Sequence, residues 1–134
     1  MAEVKTDFEE VKRFWLRESE EALNVADHLM EKGDFSYSLF FGHLAIEKIL
    51  KAVYVVKHKE HAPPLHNLVR LAKIAGLELD ERSTDALIRI TSYNIESRYP
   101  DIKAAFRKKC TSDFTLKEMK IIKEYFRWIK SQLQ

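Results

Sequence analysis

The sequence predicts an all-α protein, an antiparallel up-and-down bundle of four or five helices. Three observations predict it. Apolar residues recur at spacings of three and four along most of the chain. Glycines, prolines and capping residues fall where that period lapses. No segment alternates with period two for long enough to make a sheet strand. The 134 residues suit one bundle domain spanning 1–134. A hydrophobic content of 46% with 33% charged residues is that of an ordinary globular protein rather than a disordered chain.

Thr6-x-x-Glu9 reads as a capping box that opens the first helix. Phe8, Val11, Trp15, Ala22, Val25 and Leu29 then recur at helical spacing until Gly33 stops the run. Asp34 is placed to cap the second helix, where Phe35, Leu39, Phe40, Leu44, Ile46, Ile49, Leu50, Val53 and Val56 form a wide apolar arc. Such an arc predicts a helix at the centre of the bundle. "HAPPLH" reads as an extended connector, because proline disfavours helix in the residue before it. A short third helix is expected at about 67–75, closed by Gly76, and a fourth opens at Asp80 with Ala86, Leu87 and Ile90 turned inward. In "YNIESRYPD", residues 93–101, Pro100 lacks an N–H and is expected to end a helix and begin a turn. The last helix is expected from a second capping box, Thr115-x-x-Glu118, with Met119, Ile122, Phe126, Ile129 and Leu133 as its seam.

No apolar run approaches a membrane span, and the N-terminus "MAEVKTDFEEVKRF" has no apolar export segment. The single cysteine, Cys110, forms no intramolecular disulfide and fits a reducing cytoplasm; it reads as incidental. Net charge is +2 but uneven: residues 98–134 carry 10 basic and 4 acidic side chains, and residues 1–97 carry 13 and 17. The positive third suits either phosphates and acidic surfaces or a merely solvated lysine face.

His43, Glu47, Lys51 and Tyr54 lie at spacings of four, four and three on the second helix, so they form one polar stripe, with Lys48 on a neighbouring line. The stripe is either a solvated ion-paired face or, on a central helix, the lining of a groove. His43 and Glu47, or His58, His61 and His66 about the connector, complete no ligand pattern of known spacing, so no metal site is expected. His66 precedes a helix start and is either an anion contact or a local packing histidine. Arg98 offers a planar fork suited to phosphate, and Tyr93 or Tyr99 a ring for a base. The same stretch also reads as a turn held by an Arg98–Asp101 pair.

Together these pieces resemble the HEPN family of small helical bundles. The matching stretches are "GDFSYSLFFGHLAIEKILKAVYV", "LHNLVRLAKIAG" and "ESRYPD", in that order and before a last amphipathic helix. The matching positions are Glu47, Lys48, Lys51, His66, Leu68, Leu71, Arg98, Tyr99, Pro100 and Asp101, and the likeness runs over about 8–133. It implies a cytoplasmic homodimer that works with a minimal nucleotidyltransferase, in a toxin–antitoxin-like pair, with no membrane association. It also implies a groove for a nucleotide or RNA, lined here by Glu47, Lys48, Lys51, His66, Arg98, Tyr99 and Asp101, with no metal and no cofactor. Some members are metal-independent ribonucleases marked by an arginine followed four to six residues later by histidine. After Arg98 this chain reads "YPDIKAAFRKKC", and no histidine follows His66. The expectation is therefore a binding subunit with no catalytic residue assigned. The alternatives are a ribonuclease using Arg98 with His66 or Tyr99, and a purely structural adaptor.

Overall fold

The computed structural model describes residues 5–134. Its order is α1 (Phe8–Glu31), α2 (Phe35–His58), α3 (Leu68–Ile74), α4 (Glu81–Thr91), a 3-10 turn (Ile95–Ser97), α5 (Pro100–Lys109) and α6 (Ser112–Ser131). The all-α bundle is as the sequence predicts, and the described residues form no strand.

α2 is the central element. It packs against α1, α3, α4, α5 and α6, and 13 of its 24 residues are buried. The wide apolar arc demands this, because a helix apolar on most sides needs neighbours on most sides. α1 returns onto it through a short turn at Gly33, whose φ of 79° suits a residue without a Cβ. The hairpin is tied by the Ser38 hydroxyl, which donates to the Ala26 carbonyl at 2.7 Å. α6 crosses closely because Gly42 has no side chain: a Cβ there would meet Ile122 Cδ1 at 2.8 Å. Ion pairs from Lys123 to Asp27 and from Lys130 to Glu20 set α6 antiparallel to α1. Ala22, Leu39, Ile46, Leu50, Leu71, Leu87, Ile122 and Ile129 belong to one core cluster.

Helix starts depart from the expectation in two places. α1 is capped by Asp7, not Thr6: the Asp7 carboxylate accepts from the N–H groups of Glu9 and Glu10 at 3.0 and 3.4 Å. α6 begins three residues before the expected box, with Thr111 Oγ1 accepting from Phe114 N at 3.2 Å. Thr115 and Glu118 therefore lie inside α6, both buried. Asp34 occupies the cap position of α2, but its side chain makes no capping bond. Asn67 and Asp80 cap α3 and α4 as expected.

α5 is a helix that the sequence pattern does not announce. Pro100 opens it rather than ending a helix, since the first helical position needs no N–H donor. Tyr99 before it has ψ 156°, the extended backbone that a following proline imposes. α5 buries no residue fully; it is held by Phe106 against Tyr93 and by Arg107 against Tyr37. Tyr93 is not a free ring. It is 1% exposed and donates its hydroxyl to Glu118. Cys110 is buried, and burial raises its thiol pKa to about 11, which leaves it protonated and unreactive.

Candidate functional site

Centrality turns the polar stripe of α2 inward. His43, Glu47 and Lys51 are 0%, 4% and 7% exposed, so the reading of a solvated face does not hold. The Lys51 ammonium lies 3.2 Å from Glu47 Oε2 and 5.2 Å from the centre of the Trp15 ring, between a carboxylate and an aromatic face. Glu47 Oε1 is 2.8 Å from His66 Nδ1, contributed by the connector 19 residues later. His66 itself is largely open, with its side chain 64% exposed. The cluster thus begins in the core and ends at solvent.

His43 is the unusual member. Its Nε2 lies 3.8 Å from Glu47 Oε1, too far for a hydrogen bond, and neither ring nitrogen has a hydrogen-bond partner. Burial lowers its pKa, and the nearby Glu47 charge opposes that only in part. A wholly buried imidazole without a partner costs stability, which is how sites that serve something other than stability are often built.

The other predicted residues divide. Lys48 turns to α1 and pairs with Glu18 at 3.6 Å, away from the carboxylate of Glu47. Arg98, Tyr99 and Asp101 are exposed, Tyr99 by 78%. Among the described residues their side chains form no hydrogen bond or ion pair, so the expected Arg98–Asp101 turn contact is not made. Their placement relative to His66 follows from α4. The first N–H of α3, on Leu68, donates to Thr91 Oγ1 at 3.2 Å, which pins the residues after His66 to the last turn of α4. The chain leaves that same turn through the 3-10 segment to reach Arg98. His66 and Arg98 therefore emerge from one end of α4.

The remaining connector histidines go elsewhere. His58 Nε2 is 2.6 Å from the Ile74 carbonyl, and the His61 ring meets Phe8 edge-on at 5.4 Å. Among the described residues no group of three or more His, Cys, Asp or Glu side chains is arranged to hold a metal ion. No described helix is long and apolar enough to cross a membrane.

A second buried carboxylate is one the sequence pattern marks only as part of a capping box. Glu118 on α6 accepts from Arg89 Nε at 2.5 Å and from the Tyr93 hydroxyl. Burial, then the bond to Glu118, raises the Tyr93 pKa, and that carboxylate holds the Arg89 guanidinium above its ordinary value. The partners are 29 and 25 residues away, so no local spacing announces the cluster. Arg89 also lines a hollow of about 610 Å³ between α4 and α6 with Asp80, Arg82, Asp85 and Tyr125.

Fold and site define a helical bundle that carries a buried charged cluster opening to solvent at one end. The chain belongs to the HEPN family: the model of the HEPN domain matches residues 12–132. TT1696 from Thermus thermophilus, a crystal structure, is similar in fold with a TM-score of 0.74 at 20% identity, over 91% of this chain and 98% of its own. No curated protein matches the chain.

Proposed function

We propose that the protein is a nucleotide-binding helical subunit that works with a minimal nucleotidyltransferase in a toxin–antitoxin-like pair, as a cytoplasmic homodimer. The observation that carries this reading is the course of the cluster, from Lys51 and Glu47 in the core to the exposed His66, at the end of α4 where Arg98 also emerges. Lys51 is neutralised by Glu47, so in this reading Arg98 supplies the charge for a phosphate and His66 a ring nitrogen from the same end of α4. Tyr99 next to Arg98 is exposed enough to be covered by a ligand or by a second subunit. Calorimetric titration with nucleoside triphosphates tests this, on the chain alone and with a minimal nucleotidyltransferase added. Binding should fall at least about tenfold in Arg98→Ala, the scale of one charge-assisted contact. Absence of binding in both states sinks the proposal.

One observation favours a second reading, a metal-independent ribonuclease. Glu47 holds His66 Nδ1, which leaves Nε2 as the nitrogen facing solvent, and a carboxylate-oriented imidazole is the arrangement of a general base. Incubation with tRNA and short RNAs in chelator distinguishes the two. Cleavage lost in both His66→Ala and Arg98→Ala would replace the binding reading, and intact RNA at high protein concentration removes the nuclease.

A further inference from the structure

Trp15 has a second role beyond its contact with Lys51. With Glu10, Val11, Phe14 and His61 it lines a hollow of about 440 Å³ between the first turns of α1 and the proline connector. Phe14 is 47% exposed, although it is a large aromatic side chain, and it meets Trp15 edge-on at 5.3 Å. Glu10 stands one helical turn before Phe14 on the same face, which puts a carboxylate at the rim above the ring. It pairs loosely with Arg13 at 4.0 Å, and with its side chain 73% exposed it keeps acceptor sites open to solvent. The neighbouring Asp7 is committed to capping α1.

We propose that this hollow holds the base of the bound nucleotide, a purine with guanine preferred over adenine. The proposal rests on the nucleotide-binding reading above and identifies the other end of the same site. Three successive contacts join the two ends: Trp15 to Lys51 at 5.2 Å, Lys51 to Glu47 at 3.2 Å, and Glu47 to His66 at 2.8 Å. Trp15 therefore both lines the hollow and covers the buried Lys51–Glu47 pair, over which the ribose and phosphates would pass to reach His66. The base covers the open face of Phe14, a contact available to any base because each has a π-face. Selectivity comes from Glu10. A carboxylate only accepts hydrogen bonds, and guanine presents two adjacent donors, its ring N–H and exocyclic amino group. Adenine presents one amino group beside a ring acceptor, which a carboxylate repels.

The test is a titration of the full chain with GTP, ATP and inorganic tripolyphosphate, using calorimetry and the fluorescence of Trp15 in a Trp128→Phe background. GTP should bind about tenfold more tightly than ATP, the scale of one bidentate contact, and more tightly than tripolyphosphate. Phe14→Ala should weaken GTP about tenfold, the scale of one stacked base, and leave tripolyphosphate unchanged. Glu10→Gln should erase the preference for GTP without loss of ATP binding. Both side chains are solvent-exposed, and circular dichroism verifies that the variants fold. Equal affinity for all three ligands, or GTP binding indifferent to Phe14→Ala, overturns the base pocket and leaves the phosphate-binding reading standing. No binding of any ligand overturns both.

Discussion

Two buried glutamates, Glu47 on α2 and Glu118 on α6, are 4% and 6% exposed, yet they are surrounded in opposite ways. Glu118 is satisfied by an arginine and a tyrosine drawn from one neighbouring element and its following turn, so it is fully bonded within the fold although Arg89 reaches solvent. It joins α4 to α6 and needs nothing further. Glu47 sits among two histidines and a lysine, of which one histidine is open to solvent and the other has no hydrogen-bond partner at all. Buried ionic groups contribute little to stability when compared with apolar packing of the same volume. A fully bonded cluster is accounted for by the fold it fastens, whereas an incompletely bonded one is better explained by a ligand.

The largest effect is expected where a charge is left alone in the core. Glu47→Ala leaves the Lys51 ammonium buried without its carboxylate and should cost about 3–5 kcal/mol in urea denaturation. The double change Glu47→Leu with Lys51→Met removes both charges and should recover most of that loss. The recovered protein should still bind nucleotide more weakly, because His66 loses the carboxylate that orients it, which separates the cluster's ligand role from its structural one. A double variant that binds as well as the wild type would make Glu47 no different in kind from Glu118.

Glu118→Ala should cost somewhat less, about 3 kcal/mol, because Arg89 is 39% exposed and can turn to water. It should leave nucleotide affinity unchanged, since Glu118 bonds to Arg89 and Tyr93 and to no member of the Glu47 cluster. Tyr93→Phe removes one hydrogen bond to a charged acceptor and keeps the ring against Phe106, so about 1.5 kcal/mol is expected. If either change weakened ligand binding at unchanged fold, the division between a fastening cluster and a binding cluster would fail.

The same contrast explains what is legible in the sequence. α1, α3 and α4 can be read because each buries one face, and α2 because its apolar arc is wide; burial is what imposes the period of three and four. α5 cannot, because it buries no residue and so has no apolar stripe, and because Pro100 resembles a stop while standing at a first helical position. The start of α6 is hidden because a Ser/Thr-x-x-Glu pattern arises by chance inside a helix, here at Thr115 and Glu118, where both residues serve the core. The Glu47–Lys51 pair is visible from its spacing of four. Its burial is visible only through the wide apolar arc around it. The link from Glu47 to His66 spans 19 residues and those from Glu118 span 25 and 29, and nothing in local spacing encodes a contact across separate helices. Family likeness points to Glu47, Lys51 and His66, whereas Arg89, Tyr93 and Glu118 have no such pointer.

The smallest effect should come from His43, and it depends on pH. Burial holds its pKa below the ordinary imidazole value of about 6.5, with the Glu47 charge and the His66 backbone opposing and the charges of His66 and Lys51 adding to the effect. As pH falls through that ordinary value, the unfolded chain takes up a proton that folded His43 resists, so unfolding becomes easier. Above it both states hold the neutral ring and the contribution to stability is complete. Urea midpoints of the wild type and of His43→Leu, measured from about pH 7.5 down to pH 5 across that ordinary imidazole value, should change their separation on the acid side, the wild type falling relative to the variant, because the variant lacks this proton-linked loss. No such term is expected at the Glu118 cluster over that range, since Arg89 is held above its ordinary value and Tyr93 likewise. Parallel curves for wild type and His43→Leu would mean that the folded cluster accommodates a charged His43, in which case the Glu47 site is electrostatically as well satisfied as the Glu118 one.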